Sequence, residues 1–191
     1  MPLHTAVFKD QIWGFLCNDI ESCLTVATEA RAAGSRSRFK GRLNFPAASM
    51  LLSAIDLAAG YYVGREAKTK EIGVFIAKDL GPHAPKLADE AIAKKWYEVF
   101  RHGLAHAVSP KAGTVSLDPH PEVFFFILSH SEKIPVLVVP TLFVVLKKAL
   151  REYETELDTN SSLQAQFQRR HDELVKGDFK AMRAFMTLCR E

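Results

Sequence analysis

Cysteine is scarce in this 191-residue chain: Cys17, Cys23 and Cys189 show no metal-ligand spacing. Such an odd, sparse set argues against a disulfide framework and for free thiols in a reducing compartment. Long apolar runs are missing as well. The greasiest stretch, Ile134 to Leu146, is too short to span a bilayer and contains Pro135 and Pro140. The N-terminus carries His4, Lys9 and Asp10 and no apolar run, so it does not read as a signal peptide. These absences predict a soluble, cytoplasmic protein with no membrane partner. Glycine patterns of the Walker or dinucleotide-binding kind do not occur, nor does G-x-S-x-G, an internal repeat or a low-complexity tract. A net charge of +3 is too small to announce a nucleic-acid binder. Any case for RNA therefore rests on local clustering.

What is present reads as one globular domain over residues 1–191, because 48% of the residues are apolar and a quarter are charged. Within it we expect a helical core over about 10–110, a β insert over about 113–139 and C-terminal helices over about 140–190. From Asp10 to about Ala33, Ile12, Phe15, Leu16, Ile20, Cys23, Leu24 and Ala27 keep the spacing of one helix face. Gly34 stops it. There follow Arg31, Arg36, Arg38, Lys40 and Arg42, five cations with no acid among them and Phe39 interleaved. This segment suits either an arm that touches phosphates or a solvated loop between helices.

Asn44-Phe45-Pro46 opens a second helix, with Pro46 in the first turn, where its missing N–H costs nothing. Residues 47–63 are apolar almost all round, which puts this helix at the centre of a bundle. Its exceptions, Ser49, Ser53, Asp56 and Gly60, form one narrow stripe. A carboxylate on so greasy a helix needs solvent or a partner, and Asp56 suits either orienting His106 or pairing with Arg101. A third helix, Thr69 to about Leu80, turns Ile72, Phe75, Ile76 and Leu80 inward and stops at Gly81-Pro82.

The fourth helix starts near Pro82 or Pro85, ends before Pro110 and carries the densest chemistry. Ile92, Trp96, Val99, Gly103 and Ala107 recur at buried-face spacing, and beside them lie Arg101, His102 and His106. Positions five apart differ by about 140° around a helix and rise about 7.5 Å. Arg101 and His106 therefore share no line, whereas His102 and His106, four apart, share a face. Arginine's long stem can still bring the two to one phosphate.

Beyond this helix the period changes. Thr114 to Leu117, Glu122 to Ser129 and Ile134 to Val139 read as strands of a small antiparallel sheet. Val123 to Leu128 is apolar without alternation, so both faces should be covered. Pro140 opens a helix to about Leu157, and Asn160 or Ser161 caps a last one to about Leu188. That last helix is charged on most faces, which suits a peripheral element or a pairing with another subunit.

The R-x4-H pattern of Arg101 and His106, with polar His102 after the arginine, resembles the HEPN superfamily of small helical domains. The order of helices and the Ser53-x-x-Asp56 of the greasy helix extend the likeness over roughly residues 10–108. The resemblance implies a mainly α, HEPN-like bundle of four to six helices with a small antiparallel β insert after the motif helix. It also implies metal-independent RNA cleavage by Arg101 and His106, with His102 and Asp56 in support, no cofactor, and products bearing a 2′,3′-cyclic phosphate. Family members often set two motif helices at a dimer interface, so a homodimer with a shared groove is expected. Arg36, Arg38, Lys40 and Arg42 are the candidate nucleic-acid contacts. Three other readings stand beside this one: a non-catalytic nucleotide- or protein-binding domain in which Arg101 and His106 serve a structural ion pair or bind a nucleotide, a metal site built on His102 and His106, and a toxin–antitoxin role with a protein partner. The metal site would need Asp56, His120 or His130 as a third ligand, and no H-E-x-x-H is present.

Overall fold

The computed structural model describes residues 1–33, 44–107, 113–129 and 131–188. It is mainly helical with a small three-stranded sheet, in the order α1 (Leu3–Val7), a π-helical stretch (Phe8–Cys17), α2 (Asn18–Ala33), α3 (Asn44–Val63), α4 (Thr69–Phe75), a π-helical turn (Ile76–Leu80), two 3-10 turns, α5 (Glu90–Ala107), β1 (Thr114–Ser116), β2 (Phe124–Ser129), β3 (Glu132–Val138), α6 (Val139–Thr159) and α7 (Ser161–Leu188). No described helix is long and apolar enough to cross a membrane.

The first amphipathic run is longer than its sequence pattern suggests and is wound differently. Hydrogen bonds to the fifth residue widen each turn of a π-helix, so the inward positions become Phe8, Ile12, Cys17 and Ile20, all 5% exposed or less. Phe15, expected inward on α-helical spacing, is 68% exposed. Gly14 sits where a Cβ would come within 2.9 Å of the Lys9 carbonyl oxygen, so the widened turn has no room for a side chain there.

Helix α3 is the central element, as its composition requires. Ala47, Ala48, Leu51, Leu52, Ile55 and Ala59 are fully buried. Gly64 ends it with φ +74°, and a Cβ there would meet the Gln166 backbone at 3.0 Å. Ile72, Phe75, Ile76 and Leu80 all face the core as expected. Helix α5 starts later than the prolines suggest. Pro82 and Pro85 lie in 3-10 turns, and Asp89 caps the helix by accepting the Ile92 N–H at 2.9 Å. Its buried face is Ala93, Trp96, Tyr97, Phe100 and Leu104, while Ile92 is 49% exposed. Two apolar stripes with the same spacing run along this helix, and the one carrying the larger rings took the core.

The sheet has strand order β1-β3-β2. β2 pairs antiparallel with β3, but β1 pairs parallel with it, in register Val115 to Leu137. The sheet is therefore mixed rather than wholly antiparallel: β1 lies against β3, not against its sequence neighbour β2. Being an edge, β2 leaves Phe126, Ile127 and Leu128 at 55%, 40% and 76% exposure, so the expected cover on both faces is absent there. α6 and α7 begin as expected, the second with the Asn160 side chain accepting the Leu163 N–H at 3.1 Å. α7 docks on α1 and α3 through Phe167, which stacks on Tyr61 at 4.2 Å between ring centroids.

Candidate functional site

Two helices bring the site together. On α3, the polar stripe faces away from the most closely packed side: Ser53 and Asp56 line a cavity of about 680 Å³ together with Leu57, Tyr97 of α5, the 66–69 loop, Ile72 and Arg170 of α7. That loop is held in place by Glu71, whose carboxylate accepts the Lys68 backbone N–H at 2.9 Å and pairs with Arg65. The hydrogen bond from Arg65 holds the Glu71 carboxyl below the usual carboxylate range. Gly60, the last member of the stripe, makes room for Arg170: a Cβ at this position would lie 3.2 Å from the Arg170 Nε.

From outside the set of residues that line this cavity, Arg101 Nε donates to Asp56 Oδ2 at 2.8 Å. The Tyr97 hydroxyl donates to the other oxygen, Oδ1. Both ends of the carboxylate are thus occupied. Tyr97 and Arg101 are four apart and so rise on one face of α5, and Asp56 bridges them from α3. The Asp56 hydrogen bond raises the Arg101 pKa further above its already high value, so the guanidinium is a permanent cation. Burial, with the neighbouring Asp56 charge, pushes the Tyr97 phenol well above its ordinary range, so it is a fixed donor at physiological pH. Arg101 keeps 27% of its side chain exposed and Asp56 the same. A guanidinium has five N–H donors, and the bond from Nε uses one of them.

Of the two roles open to Asp56, the structure forms the pair with Arg101. The side chains of His102 and His106 lie outside the described residues, although α5 carries their backbone as far as Ala107. Arg36, Arg38, Lys40 and Arg42 also lie outside them, as do Phe39 and His130. Arg31, at the start of the basic run, pairs with Asp118 and is not a free cation. His120 stacks on Phe125 at 4.4 Å and accepts the Glu122 N–H at Nδ1. Among the described residues no group of three or more His, Cys, Asp and Glu side chains is arranged to hold a metal ion.

Sequence reasoning missed Tyr97 and Arg170. The four-residue spacing of Tyr97 from Arg101 was a signal that pointed to it. Nothing local points to Arg170, which reaches the cavity only because α7 packs back across α3.

No family model, curated protein or solved structure matches the chain.

Proposed function

We propose that the chain is a HEPN-like, metal-independent endoribonuclease working through Arg101 and His106. The observation that supports it most is the motif arginine fixed by Asp56 and Tyr97, two residues that also line a cavity of about 680 Å³. That volume is in the range of small-molecule and cofactor sites. In this reading Asp56 sets the guanidinium's direction, so that its remaining N–H groups meet two phosphoryl oxygens and stabilise the charge that develops on them. His106 removes the proton from an RNA 2′-OH as that oxygen attacks phosphorus, and the 5′-oxygen leaves with a proton from His102 or from the same residues of a second subunit. The products are a 2′,3′-cyclic phosphate and a free 5′-hydroxyl. The 36–42 cations would hold the strand outside the cleavage point.

A second reading has its own support. The Arg101–Asp56 pair is partly buried and complete with Tyr97, as a structural clamp or a nucleotide-binding platform would be. End-labelled single-stranded RNA and tRNA, incubated with purified protein in EDTA, separate the two. The nuclease reading expects cyclic-phosphate ends from wild type and none from His106→Ala or Arg101→Ala proteins that remain folded. Absence of cleavage by wild type would leave the binding platform, with a co-purifying nucleotide or protein as its sign.

A further inference from the structure

Helix α7 is 28 residues long, about 42 Å at 1.5 Å per residue, but only its first half packs on the body. Leu163 and Phe167 are 6% and 1% exposed, and Leu174 still touches the core. From Val175 to Thr187 every side chain is exposed. Gly177 has open space around it, with nothing within 4 Å of the position a Cβ would take.

The projecting half nonetheless carries a seam. Val175, Phe179, Met182 and Met186 are 37%, 55%, 53% and 48% exposed, and their spacing of four, three and four is that of the inner positions of a coiled coil. Phe185, at 64%, flanks it. A helical arm of about fourteen residues is marginal by itself in water, and a glycine in its interior weakens it further. Such an arm gains its stability by burying the seam.

We propose that the distal half of α7 pairs in parallel with the same segment of a second copy of this chain, through Val175, Phe179, Met182 and Met186. The charges flanking the seam favour this occupant and this direction. Asp178 and Arg183 form no ion pair with another described residue. In a parallel pair a residue beside the seam faces the one five further along in its partner, so Asp178 of each copy meets Arg183 of the other. An antiparallel pair instead sets Lys176 against Arg183, cation on cation. The area agrees with a weak, concentration-dependent dimer. Complete burial of the four seam residues and the flanking Phe185 gives at most roughly 500 Å² per copy, about 1,000 Å² in all, below the range of stable interfaces and within that of weak, transient ones. This inference does not depend on the nuclease reading, since α7 beyond Leu174 contributes nothing to the cavity.

Sedimentation equilibrium of the full chain between about 5 and 500 µM tests it. Wild type is expected to rise with concentration from 21.3 kDa towards twice that mass, while Phe179→Glu/Met182→Glu stays monomeric with an unchanged unfolding transition. Arg183→Asp should weaken the dimer at least tenfold, and Asp178→Arg/Arg183→Asp should restore it. A wild type that is monomeric throughout overturns the proposal, as does a dimer that survives Phe179→Glu/Met182→Glu. An Arg183→Asp dimer tighter than wild type overturns the parallel arrangement. Loss of the arm's exposure on vesicles of phosphatidylglycerol, without self-association, would identify a membrane surface as the occupant and overturn it too.

Discussion

Asp79 lies in the π-helical turn after α4, with its Oδ2 buried and unpartnered among the described residues. Burial raises its pKa from 3.8 to about 6; Lys78 opposes the rise, and Glu156 and Glu152 add to it. A raised carboxyl pKa means that the folded state holds the proton more tightly than the unfolded chain does between those two values. Stability therefore falls as pH climbs from about 4 to 6, and the cost of the buried charge is fully present above 6. At about 1.4 kcal/mol per pH unit the whole gap is worth about 3 kcal/mol. The side chain retains contact with water, which screens part of this, so about 1–2 kcal/mol is expected. Asp79→Asn removes the charge at nearly constant shape. Any fixed cost of placing an amide there is the same at every pH, so the diagnostic is the change in the difference between the two proteins. Urea midpoints followed by circular dichroism should show the variant gaining about 1–2 kcal/mol relative to wild type between pH 4 and pH 8. A difference flat to within about 0.3 kcal/mol over that range would refute the burial argument.

Tyr97→Phe removes a donor to the Asp56 carboxylate and should cost about 1.5–3 kcal/mol; in an Asp56→Asn background most of that loss should vanish, and a double-mutant cycle in urea measures it. Phe167→Ala takes away a ring that is 1% exposed and stacked on Tyr61, for an expected loss of about 3–5 kcal/mol; a thermal scan showing less than 1 kcal/mol would contradict the docking of α7 on α3. Gly64→Ala forces a side chain into φ +74° and against Gln166, so its unfolding free energy, measured in urea, should fall by more than about 1 kcal/mol. Cys17, with burial pushing its thiol up to about 11, should resist alkylation at pH 7.5 in native protein and react once urea unfolds it.

The apolar periodicity determined most of the helices by itself. Residues 47–63 had to be central because all but one narrow stripe of the helix is apolar, and Ile72, Phe75, Ile76 and Leu80 had one available direction. Asn160 marked a helix start because its chemistry is local: a side-chain acceptor for a free N–H. Phe15 was misread because a π-helical stretch changes the spacing of inward positions while leaving composition untouched. Ile92 was misread because two stripes on α5 share one spacing, and only packing against the neighbouring helices chose between them.

The β insert divides in the same way. Its three strands were legible from residue type, whereas the parallel pairing of β1 with β3 and the exposed edge at Phe126 to Leu128 depend on which strands meet in the folded chain. At the candidate site the sequence supplied Arg101 and Asp56 as an isolated cation on one helix and an isolated acid on another. Whether an acid 45 residues away in sequence meets that cation is decided by how the helices cross, and so is the arrival of Arg170 over Gly60. Periodicity reports which face of an element is buried. Only the tertiary structure decides what each face is buried against.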